Sequence, residues 1–235
     1  AQGNLDAAEA LFRRSLSVYE KAEGVDDADK VWALLHLADC ESRRGKLDSA
    51  ESLYRRAVAL ADERLGPEHP DTAGAYNNFA AFFLTQEKVP EAEPLLKKAV
   101  AGYEKAYGPE HPVTAGGLTN LAGIYAMTGR LDEAFPIFAR SLAIREKTLG
   151  TNHPDTIYSL CNMVLAYMML DRTEEAEPLF AKIANSTRAW TMLSDPNVST
   201  TIENYVTLLR MKGRNAEADA LDARLKAALQ EQTKK

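Results

Sequence analysis

Four asparagines, Asn78, Asn120, Asn162 and Asn204, follow one another at a constant interval of 42 residues, and His36 holds the same place one interval earlier. A carboxamide offers N–H donors and a carbonyl acceptor, so a ladder of them can pair with the N–H and C=O groups of an extended peptide whatever its side chains. The alternative is that each asparagine bonds an adjacent helix and sets the stacking angle; the two roles are compatible. Asn77 doubles the ladder at one rung. A second periodic set, His69, His111 and His153, raises the question of zinc. Equivalent positions in neighbouring repeats lie at least a helix-packing distance of ~8–10 Å apart, whereas zinc holds its ligands at ~2 Å from one centre. The expectation is a linker role, each imidazole bonding nearby backbone, with no metal site. No phosphate-binding glycine loop, nucleophile elbow, zinc-protease helix or Cys-x-x-Cys pair occurs, so no catalytic residue and no cofactor are assigned.

The interval that spaces these side chains governs the whole chain. Ala8, Ala50, Ala92, Ala134, Ala176 and Ala218 mark it six times. Five residues before each alanine stands Gly3, Gly45, Glu87, Gly129, Asp171 or Gly213, and four after it Phe12, Tyr54, Leu96, Phe138, Phe180 or Asp222. A period of this length implies a solenoid rather than a compact enzyme core, and the two helices read in each unit make it all-α. In one unit Leu118, Leu121, Ala122 and Tyr125 share a helical face, Gly129 makes the turn, and Ala134, Ile137, Phe138, Ser141, Leu142 and Arg145 continue a second helix to about Leu149. The linker from Gly150 through His153-Pro154-Asp155-Thr156 stops that helix, with Asp155 or Thr156 expected as the next N-cap. Gly66 to Thr72 and Gly108 to Thr114 repeat it, whereas Met192-Leu193-Ser194-Asp195-Pro196 keeps only the second proline, which marks an irregular junction.

The spacing of Leu118, Leu121, Ala122 and Tyr125, then Ala134 and Phe138, resembles the tetratricopeptide repeat. Ser141 to Gly150 with His153-Pro154-Asp155 is similar to its 42-residue kinesin light chain subclass. The resemblance covers the whole chain and implies antiparallel helix pairs stacked into a right-handed superhelical solenoid with the first helices on the concave side. It also implies that the asparagine position contacts peptide backbone. The repeats are expected at 28–69, 70–111, 112–153, 154–195 and 196–235, with 1–27 the second helix of a truncated repeat, the whole forming a single array. Residue 1 falls just before that second helix, so the expectation is a fragment of a longer protein. Asp222 would be costly to bury, so the helix through Leu225 and Leu229 and the polar tail Gln230 to Lys235 are expected to cap the array as its natural end.

The 235 residues carry a net charge of −6 with both signs interspersed, which argues against nucleic acid as partner. No segment is long and apolar enough to insert in a membrane and no secretory signal opens the chain, so the expected setting is cytoplasmic. The glycosylation patterns at Asn185 and Asn197 matter only in a secretory compartment. Cys40 and Cys161 fall almost three periods apart, too far for a bridge, and are expected as buried thiols. Arg14, Arg56, Lys98, Arg140, Lys182 and Arg224 form a basic ladder on the second helices, expected as a solvated face with docking of an acidic partner as the alternative. Arg13, Arg55 and Lys97 each follow a glutamate by four residues, the order that suits exposed helix pairs.

Opposite the core face of the first helices run Gly74, Asn78, Ala81 and Thr85; Gly116, Asn120, Gly123 and Met127; and Tyr158, Asn162, Leu165 and Met169. These twelve include no charge, where the chain's 26% charged content would place about three, so this stripe is the expected ligand surface. Flexible thioethers at Met127, Met168, Met169 and Met211 could repack around varied apolar side chains. The dicarboxylate clamp of chaperone-binding relatives needs lysines and arginines that these units lack. The expected function is a non-enzymatic scaffold that binds an extended, largely neutral or apolar segment of a partner protein. The alternatives are a self-association module forming a homo-oligomer and the recruiting arm of a larger enzyme or signalling protein.

Overall fold

The structure, a computed structural model, describes residues 2–21, 24 and 26–232. Among them are twelve α-helices and no strand: α1 (Gln2–Lys21), α2 (Asp27–Arg43), α3 (Leu47–Arg64), α4 (Pro70–Leu84), α5 (Val89–Tyr107), α6 (Pro112–Met127), α7 (Leu131–Leu149), α8 (Pro154–Met169), α9 (Thr173–Asn185), α10 (Thr187–Thr191), α11 (Pro196–Met211) and α12 (Asn215–Gln232). The helices form two compact units, Ala1–Leu121 and Ala122–Lys235, which divide within α6. In the first, α1 to α5 pack in succession and α2 also meets α4; in the second, α7, α8 and α9 pack in succession, α11 meets α12, and α8 also meets α11. Those contacts of α2 with α4 and of α8 with α11 bring first helices of successive repeats side by side.

Each hairpin turns at a residue with left-handed backbone: Gly45, Glu87, Gly129, Asp171 and Gly213, at φ 76°, 60°, 75°, 54° and 73°. Glycine bears this without cost, while a side chain there is disfavoured by roughly 1–2 kcal/mol. The turn is closed by a backbone bond that reaches five residues back: Lys46 N–H to Glu41 at 3.0 Å, Lys88 to Phe83 at 3.0 Å, Arg130 to Tyr125 at 2.8 Å, Arg172 to Tyr167 at 2.9 Å and Arg214 to Leu209 at 2.9 Å. This is the Schellman arrangement, which satisfies otherwise orphaned carbonyls. The same bond draws a cation over the preceding ring. Lys88 Nζ lies 5.8 Å from the Phe83 ring centre, and the Arg130 and Arg172 guanidiniums lie 4.2 Å and 5.1 Å from Tyr125 and Tyr167. In the first hairpin a carboxylate replaces the ring: Glu41 is fully buried, Lys46 Nζ stands 3.1 Å from it, and Arg13 pairs with it from α1. Sequence inspection missed this cation row, although Lys46, Lys88, Arg130, Arg172 and Arg214 keep the period.

Ala50, Ala92, Ala134, Ala176 and Ala218 have no exposed surface at all. The residue one turn later meets the first helix of the following repeat at two of these positions: Tyr54 lies 5.6 Å and 5.1 Å from Phe79 and Phe82 of α4, and Phe180 stacks 5.2 Å from Tyr205 of α11. Asp222 is not buried against a further helix; it holds Lys226 at 2.9 Å and Arg210 at 3.2 Å. Residues 233–235 of the expected polar tail lie outside the described residues. The three expected glutamate-first pairs all form, Glu9 with Arg13 at 2.8 Å, Glu51 with Arg55 at 2.7 Å and Glu93 with Lys97 at 2.6 Å. The basic ladder is exposed, yet Lys98 lies 4.8 Å from the Tyr76 ring, Lys182 2.8 Å from Glu146 and Arg224 3.9 Å from the Trp190 ring. Cys40 and Cys161 are buried free thiols.

The linker histidines do more than the expected linker bonding, and they correct the assignment of the caps. His69 and His153 are themselves the N-caps of α4 and α8, ahead of a proline at the first helical position, and neither Asp155 nor Thr156 caps α8. In each linker Nδ1 accepts the backbone N–H two residues on, Asp71 from His69, Val113 from His111 and Asp155 from His153, all at 3.2 Å. A ring nitrogen thus plays the part usually given to a serine or aspartate oxygen. In the irregular junction Asp195 takes over, accepting from Asn197 N–H at 2.9 Å. There α9 stops early because Ser186 turns extended, caps α10 and bonds Asn152 at 2.7 Å.

The caps and the part-buried ion pairs each lead to a measurable outcome. His153→Ala removes an acceptor and lowers unfolding free energy by about 1 kcal/mol in a denaturant titration, whereas His153→Asp, the residue that caps α11, leaves it within about 0.5 kcal/mol of the parent. Glu9, which bonds Arg13, and Glu177, which bonds Lys212 and Arg214, have carboxyls held below the ordinary 4.5 by those cations. Their stabilisation is complete above that ordinary value and is lost as pH falls through the depressed one. Melting temperature therefore drops between about pH 5 and about pH 2 less steeply in Glu177→Gln than in the parent.

Candidate functional site

The face opposite the core of each first helix is open, as its sequence pattern requires. On α4, Asn78 and Ala81 are exposed, as is its C-cap Thr85; on α6, Asn120 is exposed. Met127, Leu165, Met169 and Met211 are exposed apolar side chains, of which Met127, Met169 and Met211 each end a first helix. The asparagines themselves fare differently. Asn120 Nδ2 donates to Asn77 Oδ1 at 2.8 Å, tying α6 to α4, so at this rung the carboxamide bonds an adjacent helix. Asn78, Asn162 and Asn204 make no side-chain hydrogen bond among the described residues and keep their full donor and acceptor capacity. Asn162 is half-buried and Asn204 exposed on neighbouring helices α8 and α11.

Tyr158, placed by its sequence on the same stripe, is committed to the fold. Its hydroxyl donates to Asp195, the cap of α11, at 2.9 Å, and that bond, with burial second, raises its pKa. Its ring remains half-buried beside α11. His36 is likewise held, its imidazole stacked on Phe12 at 5.2 Å and 4.2 Å from the Trp32 ring. This makes an aromatic cluster of Phe12, Trp32 and His36 with the Trp32 indole 52% exposed.

Geometry singles out the groove between α2 and α4. Two clefts meet there and share Leu35, His36 and Asn78. One, of about 250 Å³, runs toward Asp39, Ser42, Tyr54, Phe82 and Thr85; the other, of about 590 Å³, opens between Trp32, Asp29 and Tyr19 on one side and Asp71 and Gly74 on the other. The small residues Gly74 and Ala81 leave the floor of the groove low, and a Cβ added at Gly74 would meet only the Tyr103 hydroxyl at 3.9 Å. Asn78 thus stands at the junction of two concavities with its amide unspent. The acidic lining by Asp29 and Asp71 was not singled out by sequence, because both are also ordinary first-turn helix acids; their shared register, 42 residues apart, was the available signal.

Paired helices repeated at a fixed interval, with open polar groups on the first-helix faces, define a protein–protein interaction scaffold. The chain belongs to the tetratricopeptide repeat family, whose model matches residues 1–63, 33–105 and 113–189. Among solved structures it is similar to the nearly identical TPR-like repeats of a kinesin light chain-type protein from Podosopora anserina, at 24% identity and TM-score 0.73, over 90% of this chain and 100% of that one. It is also similar to BtubC (BKLC) from P. vanneervenii, at 19% identity and TM-score 0.81, over 97% and 92% of the two chains. Aspartyl phosphate phosphatase F from Bacillus subtilis shares the fold at 14% identity and TM-score 0.65, over 97% of this chain and 68% of that one. No curated protein matches the chain. Among the described residues no helix is long and apolar enough to cross a membrane.

The division of labour among the asparagines is measurable. Asn120→Ala lowers unfolding free energy by about 0.5–1 kcal/mol, with a coupling to Asn77→Ala of the same size in a double-mutant cycle, while Asn162→Ala and Asn204→Ala change it by less than about 0.5 kcal/mol.

Proposed function

We propose that this protein is a non-enzymatic scaffold whose first-helix faces hold extended segments of a partner protein, with the carboxamide of Asn78 on the first unit, and those of Asn162 and Asn204 on the second, meeting segment backbone. The observation that carries the proposal is Asn78 at the meeting point of the α2–α4 clefts, exposed and without a side-chain hydrogen bond among the described residues. An amide in that position can donate and accept at once, which suits an extended chain. On the second unit the same surface offers Asn162 and Asn204 beside Leu165, Met169 and Met211, where apolar partner side chains find flexible, polarisable contacts. The two free buried cysteines fit a reducing compartment such as the cytoplasm.

A second reading, self-association, has its own observation. Leu11 and Val18 on α1 are 63% and 54% exposed, while the residues that repeat their positions, Leu53 and Leu95 for one and Gly102 and Ile144 for the other, are half-buried or buried. A helix of a second copy could cover them.

A peptide-library screen of the parent beside Asn78→Ala, both confirmed to melt alike, tests the first reading. Recovered peptides should bind Asn78→Ala at least about fivefold more weakly, the worth of a lost backbone pair; equal binding by both proteins rejects the role of Asn78. Concentration-dependent mass that is abolished by Leu11→Glu, with no peptide recovered, would transfer the function to self-association.

A further inference from the structure

The larger α2–α4 cleft carries a chemical bias that the ladder of amides does not. Among the described residues its lining includes Asp29 and Asp71 but neither lysine nor arginine, and the adjoining smaller cleft adds Asp39. Asp39 is already paired, with Arg43 at 2.9 Å. Asp29 has no ion-pair partner among the described residues. Asp71 has, among them, only His69 in range, at 3.6 Å, and the same Nδ1 accepts the Asp71 backbone N–H at 3.2 Å. The Trp32 indole lines the same cleft, half exposed and steadied by Phe12 edge-on at 5.4 Å and by His36. The first-turn position of each aspartate would by itself be explained by the helix dipole. What the dipole does not explain is that both border one concavity whose wall is an exposed indole.

We propose that this cleft seats a cationic side chain, arginine or lysine, of the bound segment, with the charge over the Trp32 ring and between Asp29 and Asp71. The inference rests on the peptide-binding reading above and narrows its partner at the first unit to a basic segment. The chemistry is complementary on each count. An indole face attracts a cation through its quadrupole, and an arginine can stack on it while its edges donate to carboxylates. A cleft of about 590 Å³ has room for one long side chain and the backbone on either side of it. The partner's charge is also opposite to that of this chain, −6 overall, which favours encounter. An acidic segment would instead meet two carboxylates that have no lysine or arginine partner among the described residues, and be repelled.

The test uses two pools of short peptides with varied small and apolar neighbours, identical except that one has a central arginine and the other a central citrulline, its neutral isostere. The parent should bind the arginine pool about fivefold or more tightly than the citrulline pool. In Asp29→Asn/Asp71→Asn that preference should fall to about one while citrulline binding is kept. As a measurement that needs no variant of the acids, the arginine pool should shift the Trp32 indole N–H resonance of the parent and leave that of Trp190 unmoved. Equal binding of both pools by the parent overturns the cation site and leaves the peptide groove standing. No binding of either pool overturns both. A preference that survives in the doubly substituted protein, or an unmoved Trp32 resonance, places the cation elsewhere and overturns the assignment to this cleft.

Discussion

Close approach of two helices at a methyl side chain is the constraint on which the rest depends. The alanine of each second helix is wholly buried from Ala50 onward, and the left-handed turn five residues earlier fixes where along the partner helix it lands. A larger side chain at that point would push the helices apart, and cores resist extra methylenes by about 1–3 kcal/mol. Once alanine and turn are placed, the hairpin has one register. The next aromatic, Tyr54 or Phe180, then meets the first helix of the following repeat at a defined depth.

The turn contributes a second layer. Its closing hydrogen bond brings Lys88, Arg130 or Arg172 over an aromatic ring at the end of the first helix. The cation shields the ring from water while staying in solvent itself, which is the usual advantage of a long basic side chain. The first hairpin obtains a comparable closure from charge, through Glu41, Lys46, Arg13 and Glu9. Glu41 is buried there among two cations, and an isolated carboxylate in that place would be far costlier.

Because the fold is satisfied by these inward and turn-side contacts, the outward faces of the first helices are free to differ. In the first unit the groove between α2 and α4 is bordered by aspartates, an indole and an unspent amide. In the second unit the same register holds Asp155, Tyr158 and Leu165 on α8, with the exposed thioethers of Met169 and Met211 at the ends of α8 and α11. Asn77, Asn120 and Tyr158 show the limit of that freedom, since each spends its polar group on a neighbouring helix. A repeat protein can therefore change its partner by changing rungs without changing its scaffold.

The amino-acid sequence alone determined the helical repeat, its interval, the hairpin turns and the apolar and open faces, because these follow from periodicity and from local backbone preference. The turn glycines and the exposed Met127 and Met169 were legible for that reason. Tertiary structure decided which polar groups remain available. Whether Asn120 or Asn78 keeps its amide depends on where a side chain of a neighbouring helix falls. Whether histidine or aspartate caps a helix depends on how a ring nitrogen meets one N–H. That Asp29 and Asp71, ordinary singly, border the same cleft as Trp32 depends on two helices packing side by side. Periodicity assigns a residue to a face, but hydrogen bonds and clefts form between faces, and only their packing brings the partners within reach.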